Sequence, residues 1–194
     1  MNEILKEVMK YMPDNAQISE SGFEAANIIL YTKNKDFFLN PNSSIKDIVD
    51  KVKKTIELRP DPSLLLDEEK SEKEIRELIP EEAGLTNIIF DKPRSKVIIE
   101  AEKPGIAIGK AGEVLAEIKK KTFWVPLVRR TPPIKCQIIE KIRKVLYENT
   151  EYRRKFLNKI GERIYGGWTN EKKDEWIRVS VLGAGRQVGR SCLL

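Results

Sequence analysis

The sequence predicts an α+β protein that consists of two copies of one small unit followed by a helical connector. The first observation is an internal similarity at an offset of 67 residues. The second is that each copy contains both helix-type and strand-type hydrophobic periodicity. The third is composition: 40% of the 194 residues are hydrophobic, with no apolar run near the ~20 residues of a bilayer-spanning helix. Because a copy of about 65–70 residues is small for an independent fold, we expect the copies to pack on one another.

The first half of each copy predicts a helix, a proline that ends it, and two strands. The stretch "EVMKYMPDNAQI" (7–18) parallels "EIRELIPEEAGL" (74–85), and both have a helical apolar pattern before the proline. Each stretch then reaches an apolar residue that starts a strand. The stretch "NIILYTKN" (27–34) parallels "KVIIEAEK" (96–103), and both are short β-branched runs typical of a second strand.

The second half of each copy predicts a short helix, a long amphipathic helix and a closing strand. The long helices are matched through apolar residues at the spacing i, i+3, i+4 and i+7. These residues are Ile45, Ile48, Val49 and Val52 in the first copy and Ala111, Val114, Leu115 and Ile118 in the second. An extended segment that ends in prolines closes each copy, "TIELRPDP" (55–62) and "LVRRTPP" (127–133). Each copy therefore predicts the order α-β-β-α-α-β.

Two further helices and a strand are predicted after the repeat. The stretches 134–149 and 150–165 both have helical periodicity. The stretch "GGWTNEKKDE" (166–175) is typical of a loop, and "WIRVSVL" (176–182) predicts a strand.

The composition excludes several common kinds of enzyme. The chain contains no histidine, which rules out Ser-His-Asp triads, Cys-His pairs and zinc sites with imidazole ligands. Its two cysteines, Cys136 and Cys192, give neither a disulfide framework nor zinc-ligand spacing. We therefore expect no catalytic residue, metal or cofactor in this chain. The N-terminus lacks the features of a signal peptide, and a reduced cytoplasmic setting is the expectation.

Basic charge is concentrated in the last two thirds of the chain. Residues 1–70 contain 10 Lys and Arg against 13 Asp and Glu, residues 71–145 contain 16 against 11, and residues 146–194 contain 10 against 6. An anionic partner should therefore bind beyond the first copy. A solvated surface rich in salt bridges explains the same charges without any partner.

The stretch "PGIAIGKAG" (104–112) is the strongest candidate for a binding site. Gly109 and Gly112 remove side chains that would block a sugar-phosphate backbone, and the N–H groups that begin the next helix favour an anion. Lys110 adds a positive charge. A nucleotide-binding P-loop does not fit, because the glycine spacing is one residue short and Ala111 replaces the required Ser or Thr. The alternative is a tight corner between two helices that binds nothing.

With "IGKAG" between two helices of an α-β-β-α-α-β copy, the second unit resembles a type II KH domain, whose GxxG loop clamps about four single-stranded nucleotides. The resemblance implies a groove for the bases with walls at Ile108, Val114, Leu115, Ile118, Val125, Leu127 and Val128. The residues that it assigns to RNA binding are Ile108, Gly109, Lys110, Ala111, Gly112, Lys119, Lys120, Arg129 and Arg130. Core packing and a solvated helix end are the alternative explanations for the apolar residues and the lysines.

The first copy departs from this pattern. The corresponding stretch is "NPNSSIKD" (40–47), which has no glycine, and Asn42 or Ser43 is typical of a helix N-cap. Side chains there would block a nucleic-acid backbone, and this copy is net acidic. We therefore interpret the first copy as a degenerate, structural partner, in which Ser43 and Lys46 matter little to binding.

Over essentially all 194 residues, the chain resembles the N-terminal region of archaeal cleavage-and-polyadenylation-specificity-factor-like ribonucleases, a family that acts in transcription termination. The phrases "RPDPS", "EAEKPG", "IGKAGE", "VRRTPPI" and "VGRS" carry this resemblance. It implies a KH-like unit without GxxG at 1–68, a KH unit with GxxG at 69–137, a helical connector at 138–175 and the first strand of a truncated metallo-β-lactamase domain at 176–194. Longer members of the family use a β-CASP nuclease with two zinc ions in mRNA 3′-end processing.

The resemblance implies a function in RNA binding rather than catalysis. The second unit would hold single-stranded RNA and position transcripts for a nuclease that these residues do not contain, and the family works with RNA polymerase as a dimer. The first rival is a protein-interaction module that contacts RNA polymerase or processing partners and has little RNA affinity. The second rival is a free-standing enzyme.

Overall fold

A computed structural model of the chain describes residues 2–40, 42–132, 134, 136–166, 181–183 and 192–193. The predicted α+β class is confirmed, because two small three-stranded sheets alternate with helices along the chain. No helix in these residues is long and apolar enough to cross a membrane.

The first unit has the helices α1 (Glu3–Tyr11), α2 (Lys35–Leu39) and α3 (Asn42–Val52) and the strands β1 (Ile18–Glu24), β2 (Asn27–Thr32) and β3 (Ile56–Pro60). Strand β2 is central, with β1 antiparallel and β3 parallel to it. Asn2 caps α1, since its side chain accepts from the Ile4 N–H at 3.2 Å. The helices cover one face of the sheet, and the buried core there contains Leu5, Val8, Phe23, Ile28, Leu30, Ile48 and Val52.

The second unit repeats this order with the helices α4 (Glu68–Leu78), α5 (Pro104–Ile108) and α6 (Glu113–Thr122) and the strands β4 (Leu85–Asp91), β5 (Lys96–Ala101) and β6 (Val125–Arg130). Its strands pair in the same order and directions. Trp124 lies in the core, and its Nε1–H donates to the Leu66 carbonyl oxygen at 2.9 Å. The other buried core residues are Ile75, Ile79, Ala83, Val97, Ile99, Ala101, Ala107 and Ile118.

The predicted alignment of the two long helices is wrong by one turn. Each helix ends before a residue with left-handed backbone, Lys53 (φ 55°) or Phe123 (φ 59°), so α3 and α6 correspond at an offset of 70 residues. Ile48 therefore corresponds to the buried Ile118, whereas the sequence comparison paired it with Val114. A shift of four residues keeps the same helical face, so apolar spacing alone cannot distinguish the two alignments.

The two predicted connector helices are present as α7 (Gln137–Glu148) and α8 (Thr150–Gly166). Helix α8 packs against β1, at the edge of the first sheet. The Ala25 N–H donates to the Leu157 carbonyl oxygen at 3.1 Å. The Phe23 N–H donates to Asn158 Oδ1 at 2.8 Å. Helix α8 thus provides acceptors for backbone groups that an open sheet edge would leave unpaired.

Beyond α8 the structure describes two short strands, β7 (Val181–Gly183) and β8 (Cys192–Leu193), which pair antiparallel. The predicted loop at 166–175, apart from the last residue of α8, and most of the predicted strand at 176–182 lie outside the described residues. The four domain boundaries and the metallo-β-lactamase assignment stay predictions.

A buried cluster of charged side chains joins the two units. Arg59 on β3 is 1% exposed and binds the carboxylates of Glu24 and Glu57 in its own unit. It also donates to the carbonyl oxygen of Arg94 in the second unit at 3.4 Å. In the opposite direction, Lys96 Nζ lies 3.0 Å from Glu57 Oε1, and the Arg94 guanidinium pairs with Glu24. These ion pairs cross the boundary between the units and hold them in one arrangement.

Burial shifts the pKa values of several groups in this cluster. It lowers the pKa of Arg94 to about 10 and lowers the pKa of Lys96. It raises the pKa of Asp91, which accepts from Arg94 at 3.2 Å. For Glu57, burial acts to raise the pKa, but the hydrogen bond and charge of Arg59 outweigh it, and the pKa is lowered. The attraction between opposite charges therefore outweighs desolvation at Glu57, whereas desolvation dominates at Asp91, Arg94 and Lys96.

Substitution of Asp61 by Asn is expected to weaken the fold at neutral pH and to change little in strong acid. The Asp61 carboxylate accepts from the Ser19 hydroxyl at 2.6 Å and from the Ser63 N–H and hydroxyl at 3.0 and 2.7 Å. These hydrogen bonds lower its pKa from 3.8 to about 2. A carboxyl group whose pKa is lowered on folding stabilises the folded state at pH values above its ordinary pKa. This stabilisation is lost as the pH falls from about 4 to about 2. Because the side chain is largely exposed, we expect about 1 kcal/mol or less.

Urea denaturation of both proteins over a pH series measures this effect. The difference in the free energy of unfolding should shrink toward zero as the Asp61 carboxylate is protonated. A difference that stays constant down to the lowest pH would show that the charge of Asp61 is not its source.

Candidate nucleic-acid interface

The predicted loop connects α5 to α6 and turns sharply at its first glycine. Gly109 has φ 77° and ψ 176°, a combination that side-chain-bearing residues rarely adopt. A Cβ atom there would lie 2.7 Å from Val114 Cγ2 and 3.2 Å from the Val114 backbone nitrogen. Gly109 is therefore needed for the corner between the helices, whether or not a ligand binds.

The second glycine of the loop, Gly112, lies open to the outside. Its φ is +81°, and a Cβ atom there would meet no other atom of the described residues within 4 Å. Gly112 is the N-cap of α6, and it has no side chain to accept from the N–H groups of the first turn. Lys110 and Ala111, between the two glycines, are exposed. The loop thus presents backbone, one lysine and a helix N-terminus on an unobstructed surface.

The side chains assigned to the groove differ in accessibility. Ile118 is fully buried in the core, so its assignment as a groove wall is wrong. Leu127 pairs with Ile98 on the sheet face that the helices do not cover, and strand alternation places Val125 on the same face, so both assignments are also wrong. The remaining wall residues are half-buried: Ile108, Val114, Leu115 and Val128.

Lys119 is held by the first unit, and its assignment to an RNA-binding rim stays a prediction that this contact does not favour. Its Nζ donates to the Phe38 carbonyl oxygen at 2.8 Å and lies 4.1 Å from the centroid of the Phe38 ring. Burial lowers the pKa of Lys119. In a reciprocal contact, Lys35 Nζ lies 4.9 Å from the Phe123 ring centroid. The contact exists because α6 turns this face toward α2, which a sequence pattern of three lysines does not reveal.

The other predicted cations are exposed and lie on different elements. Lys120 lies toward the far end of α6, ~12 Å along the helix from the loop. Arg129 Nη1 donates to the hydroxyl of Tyr147 at 3.0 Å, which holds its guanidinium beside α7. Arg130 ends β6, the strand against which α5 packs. Lys110 is the cation within the loop itself. The structure therefore brings together the loop residues 108–112 and places the predicted rim cations on different elements, α6 and β6.

The first unit has a shorter connection at the corresponding place. Helix α2 ends at Leu39 and α3 begins at Asn42, so two residues separate these helices where the second unit has four. A GxxG-type turn needs four residues and has no room there. The predicted N-cap role of Asn42 or Ser43 concerns side chains outside the described part of the chain.

Comparison with known proteins indicates the class of domain in the first unit. Residues 1–65 match the family model described as "Transcription termination factor FttA, KH domain". The mixed α+β architecture of each unit is consistent with that match, so the chain contains a KH-like domain. The loop at 109–112 lies beyond the residues that the family model matches.

The curated relatives that align with the whole chain share one name. Proteins named transcription termination factor FttA align with the chain at 42% identity over 194 residues in Methanothermobacter thermautotrophicus, 43% over 198 in Pyrococcus abyssi and 33% over 195 in Lokiarchaeum sp.. Each alignment covers 100% of this chain and 30% of the relative. Residues 1–65 are therefore similar to the KH domain of FttA, in a chain that spans about 30% of the length of these relatives.

A solved structure, described as the crystal structure of APE1850, covers 66% of this chain at 15% identity and a TM-score of 0.29, which is too low to support any argument. The metallo-β-lactamase and β-CASP context, the zinc ions and the cytoplasmic setting stay predictions.

Proposed function

We propose that this chain binds single-stranded RNA through the loop of its second unit and serves as the RNA-holding part of a transcription termination factor. The observation that carries the proposal is the open position of Gly112 at the N-terminus of α6, where the backbone is left-handed and a Cβ atom would meet no described atom within 4 Å. The names of the relatives support the connection with transcription termination.

The loop offers the chemistry that a phosphodiester requires. The first-turn N–H groups of α6 point out of the helix, and the helix dipole favours an anion at that end. Lys110 supplies a mobile positive charge beside them. Because Gly112 has no Cβ, a sugar-phosphate backbone can approach the peptide planes closely. Glu113, in the first turn of α6, is negatively charged like the phosphate, and it therefore limits the affinity for RNA.

The bases would lie on the apolar side chains next to the loop. Val114 and Leu115 on α6 and Val128 on β6 are half-buried, so each keeps part of its surface available while it packs against the core. Ile108 ends α5 directly before Gly109. Apolar contact of this kind tolerates different bases, so the loop fixes the backbone while the groove sets any sequence preference.

Replacing Gly112 with Asp is expected to weaken RNA binding by about 10–100-fold relative to replacing it with Asn. Asn and Asp have the same size and both tolerate left-handed backbone, so the pair differs in one negative charge beside the phosphate. Fluorescence anisotropy with a short labelled single-stranded RNA measures affinity, and urea denaturation should show free energies of unfolding equal within about 0.5 kcal/mol.

The salt dependence of the Asn variant and of the unchanged chain provides the control. Affinity should fall with salt at a slope of about −0.7 per neutralised phosphate, or roughly −2 to −4 for a short clamp. Equal affinities of the Asp and Asn variants together with a flat salt profile would exclude the clamp. The alternative, a module that contacts RNA polymerase or processing partners, would then be favoured.

We assign binding rather than catalysis to this chain because it contains no histidine. In the described ranges, His, Cys, Asp and Glu side chains form no group of three that could hold a metal ion. Zinc-dependent cleavage, contact with RNA polymerase and assembly into a dimer are implied by the family resemblance and belong to the proposal for the longer protein.

A further inference from the structure

Helix α8 has an inner side that is used in packing. Gly161 is buried against β1, and Asn158 Oδ1 accepts from the Phe23 N–H at 2.8 Å. Arg154, on the same side of the helix, forms an ion pair with Glu20 of β1. The polar groups on this side therefore hold the helix on the first sheet.

The outer side of α8 carries exposed aromatic and basic side chains. Five exposed residues, which we call the α8 stripe, lie on one face of the helix over a length of ~16 Å: Tyr152, Lys155, Phe156, Lys159 and Arg163. The ring of Tyr152 belongs to a residue that is 73% exposed, and Phe156 is 53% exposed. Two large rings left in water one helical turn apart, with cations around them, indicate an interaction surface.

The charge of the α8 stripe is positive and is not neutralised by nearby carboxylates. Among the described residues, the ion pairs do not include any of its three cations. Glu151 and Glu162 lie to one side of the stripe, as the helical rotation of 100° per residue requires. Asn158 Nδ2 donates to Glu162 Oε1 at 2.8 Å and so draws this carboxylate toward the packed side of the helix.

A cavity of about 440 Å³ lies at the beginning of the α8 stripe, where α7 meets α8. It is lined by Val145, Leu146, Asn149, Tyr152 and Arg153. Asn149 Nδ2 donates to the Val145 carbonyl oxygen at 2.8 Å, which leaves Asn149 Oδ1 as the amide atom that can accept from a ligand. Apolar walls with an aromatic ring and a few polar groups are typical of a site for a flat ring such as a nucleobase.

We propose that the α8 stripe and this cavity form a second site for single-stranded RNA, separate from the loop at 109–112. Bases stack on Tyr152 and Phe156, and one base enters the cavity beside Tyr152. The three cations of the stripe contact the phosphates that join these bases. The choice of RNA over DNA rests on the proposed function, whereas the choice of a single strand rests on the stripe itself.

The alternation of rings and cations favours a single strand over a protein partner. A single strand carries flat bases and negative phosphates in alternation, and therefore uses both kinds of side chain at once. An acidic protein segment would pair with the cations, but its carboxylates gain nothing from Tyr152 and Phe156, because the face of an aromatic ring is itself negative.

Removal of one ring tests the stacking. In the 194-residue chain, Phe156→Ala should weaken binding of a labelled single-stranded RNA about ten-fold in fluorescence anisotropy. Alanine favours the helix, so α8 is retained. An abasic strand of the same length should bind the variant and the unchanged chain equally, because it has no base to stack. The control is Tyr11→Ala on α1, an exposed aromatic of the acidic first unit, which should leave both affinities unchanged. Equal RNA affinities of Phe156→Ala and the unchanged chain would overturn the proposal.

Removal of two cations tests the phosphate contacts. Lys155→Gln combined with Lys159→Gln should make the salt dependence of RNA binding shallower by about 1.4, since each phosphate contact contributes about 0.7 to the slope. The control combines Lys70→Gln with Lys73→Gln, two exposed lysines of α4, and should keep the original slope. A stripe variant that also keeps the original slope would show that its lysines contact no phosphate, and the proposal would be wrong.

Gly112→Asp separates this proposal from the loop. In a chain with Gly112→Asp, adding Phe156→Ala should still weaken RNA binding, because the α8 stripe acts independently of the loop. If Gly112→Asp weakens binding relative to Gly112→Asn while Phe156→Ala has no effect, the loop binds RNA alone and the stripe is left for a protein partner. If Phe156→Ala weakens binding while the two Gly112 variants are equal, the stripe binds RNA and the loop does not. Tighter binding of a DNA strand of the same sequence would overturn the assignment to RNA.

Discussion

Replacing Arg59 with methionine is expected to lower the free energy of unfolding by about 3 kcal/mol, the lower end of the range for breaking a buried ion pair. The guanidinium is 1% exposed and binds two carboxylates and a carbonyl oxygen. Methionine has an unbranched stem but no donor, so Glu24 and Glu57 would stay in a buried site with less compensation. Lys96 still neutralises part of that charge, and this is why we expect the lower end of the range.

Arg76→Met is the matched control for Arg59→Met. Arg76 pairs with Glu72 at 2.7 Å on α4, where both side chains are exposed, and such a pair contributes about 0.5 kcal/mol or less. Urea denaturation of both variants gives the comparison. Because the Arg59 cluster crosses between the units, Arg59→Met should also broaden the unfolding transition as the units begin to unfold separately. Equal losses in the two variants would mean that the buried cluster does not join the units.

The order of helices and strands could be predicted because it depends on local signals. A proline ends the first helix of each copy, and the pattern changes from helical to strand-type spacing within a few residues. The position of the GxxG-type loop could be predicted for the same reason, because glycine is the residue that readily adopts positive φ and both of its glycines do so. Sequence spacing is sufficient for features that neighbouring residues determine.

The alignment of α3 with α6 shows where local signals fail. A helix repeats its apolar face every three to four residues, so a one-turn error leaves the periodic match intact. The left-handed residues Lys53 and Phe123 fix the correct correspondence, but neither is a glycine, and nothing in the sequence marks them as helix ends.

The roles of charged residues could not be predicted because they depend on which elements face each other. Lys119 belongs to a run of three lysines, yet its ammonium is held by Phe38, 81 residues earlier. Arg59 is the fourth residue of β3, a strand with no unusual sequence feature. Only the packing of the two sheets shows that its side chain is buried among carboxylates. A charge run in a sequence therefore gives the net field of a surface but not its contacts.

Replacing Gly161 with alanine is expected to destabilise the chain by about 1–3 kcal/mol, the usual range for overpacking. In an exposed helix interior, the same change stabilises by ~1 kcal/mol. Gly161 is buried where α8 crosses β1, and a Cβ atom there would lie 2.6 Å from the carbonyl oxygen of Ala25 and from Phe23 Cγ. Helix α8 would have to move away from the strand, which weakens the hydrogen bonds that Leu157 and Asn158 accept from it.

Gly166→Ala, at the end of the same helix, is the control for Gly161→Ala. Its nearest neighbour would be Asn2 Nδ2 at 3.6 Å, an ordinary contact, and we expect a change within about 0.5 kcal/mol. Urea denaturation measures both variants, and amide hydrogen exchange should show faster exchange in α8 and β1 for Gly161→Ala alone. If Gly161→Ala instead stabilises the chain as helix propensity predicts, then α8 does not rest on β1 in solution. The first sheet would then have an open edge.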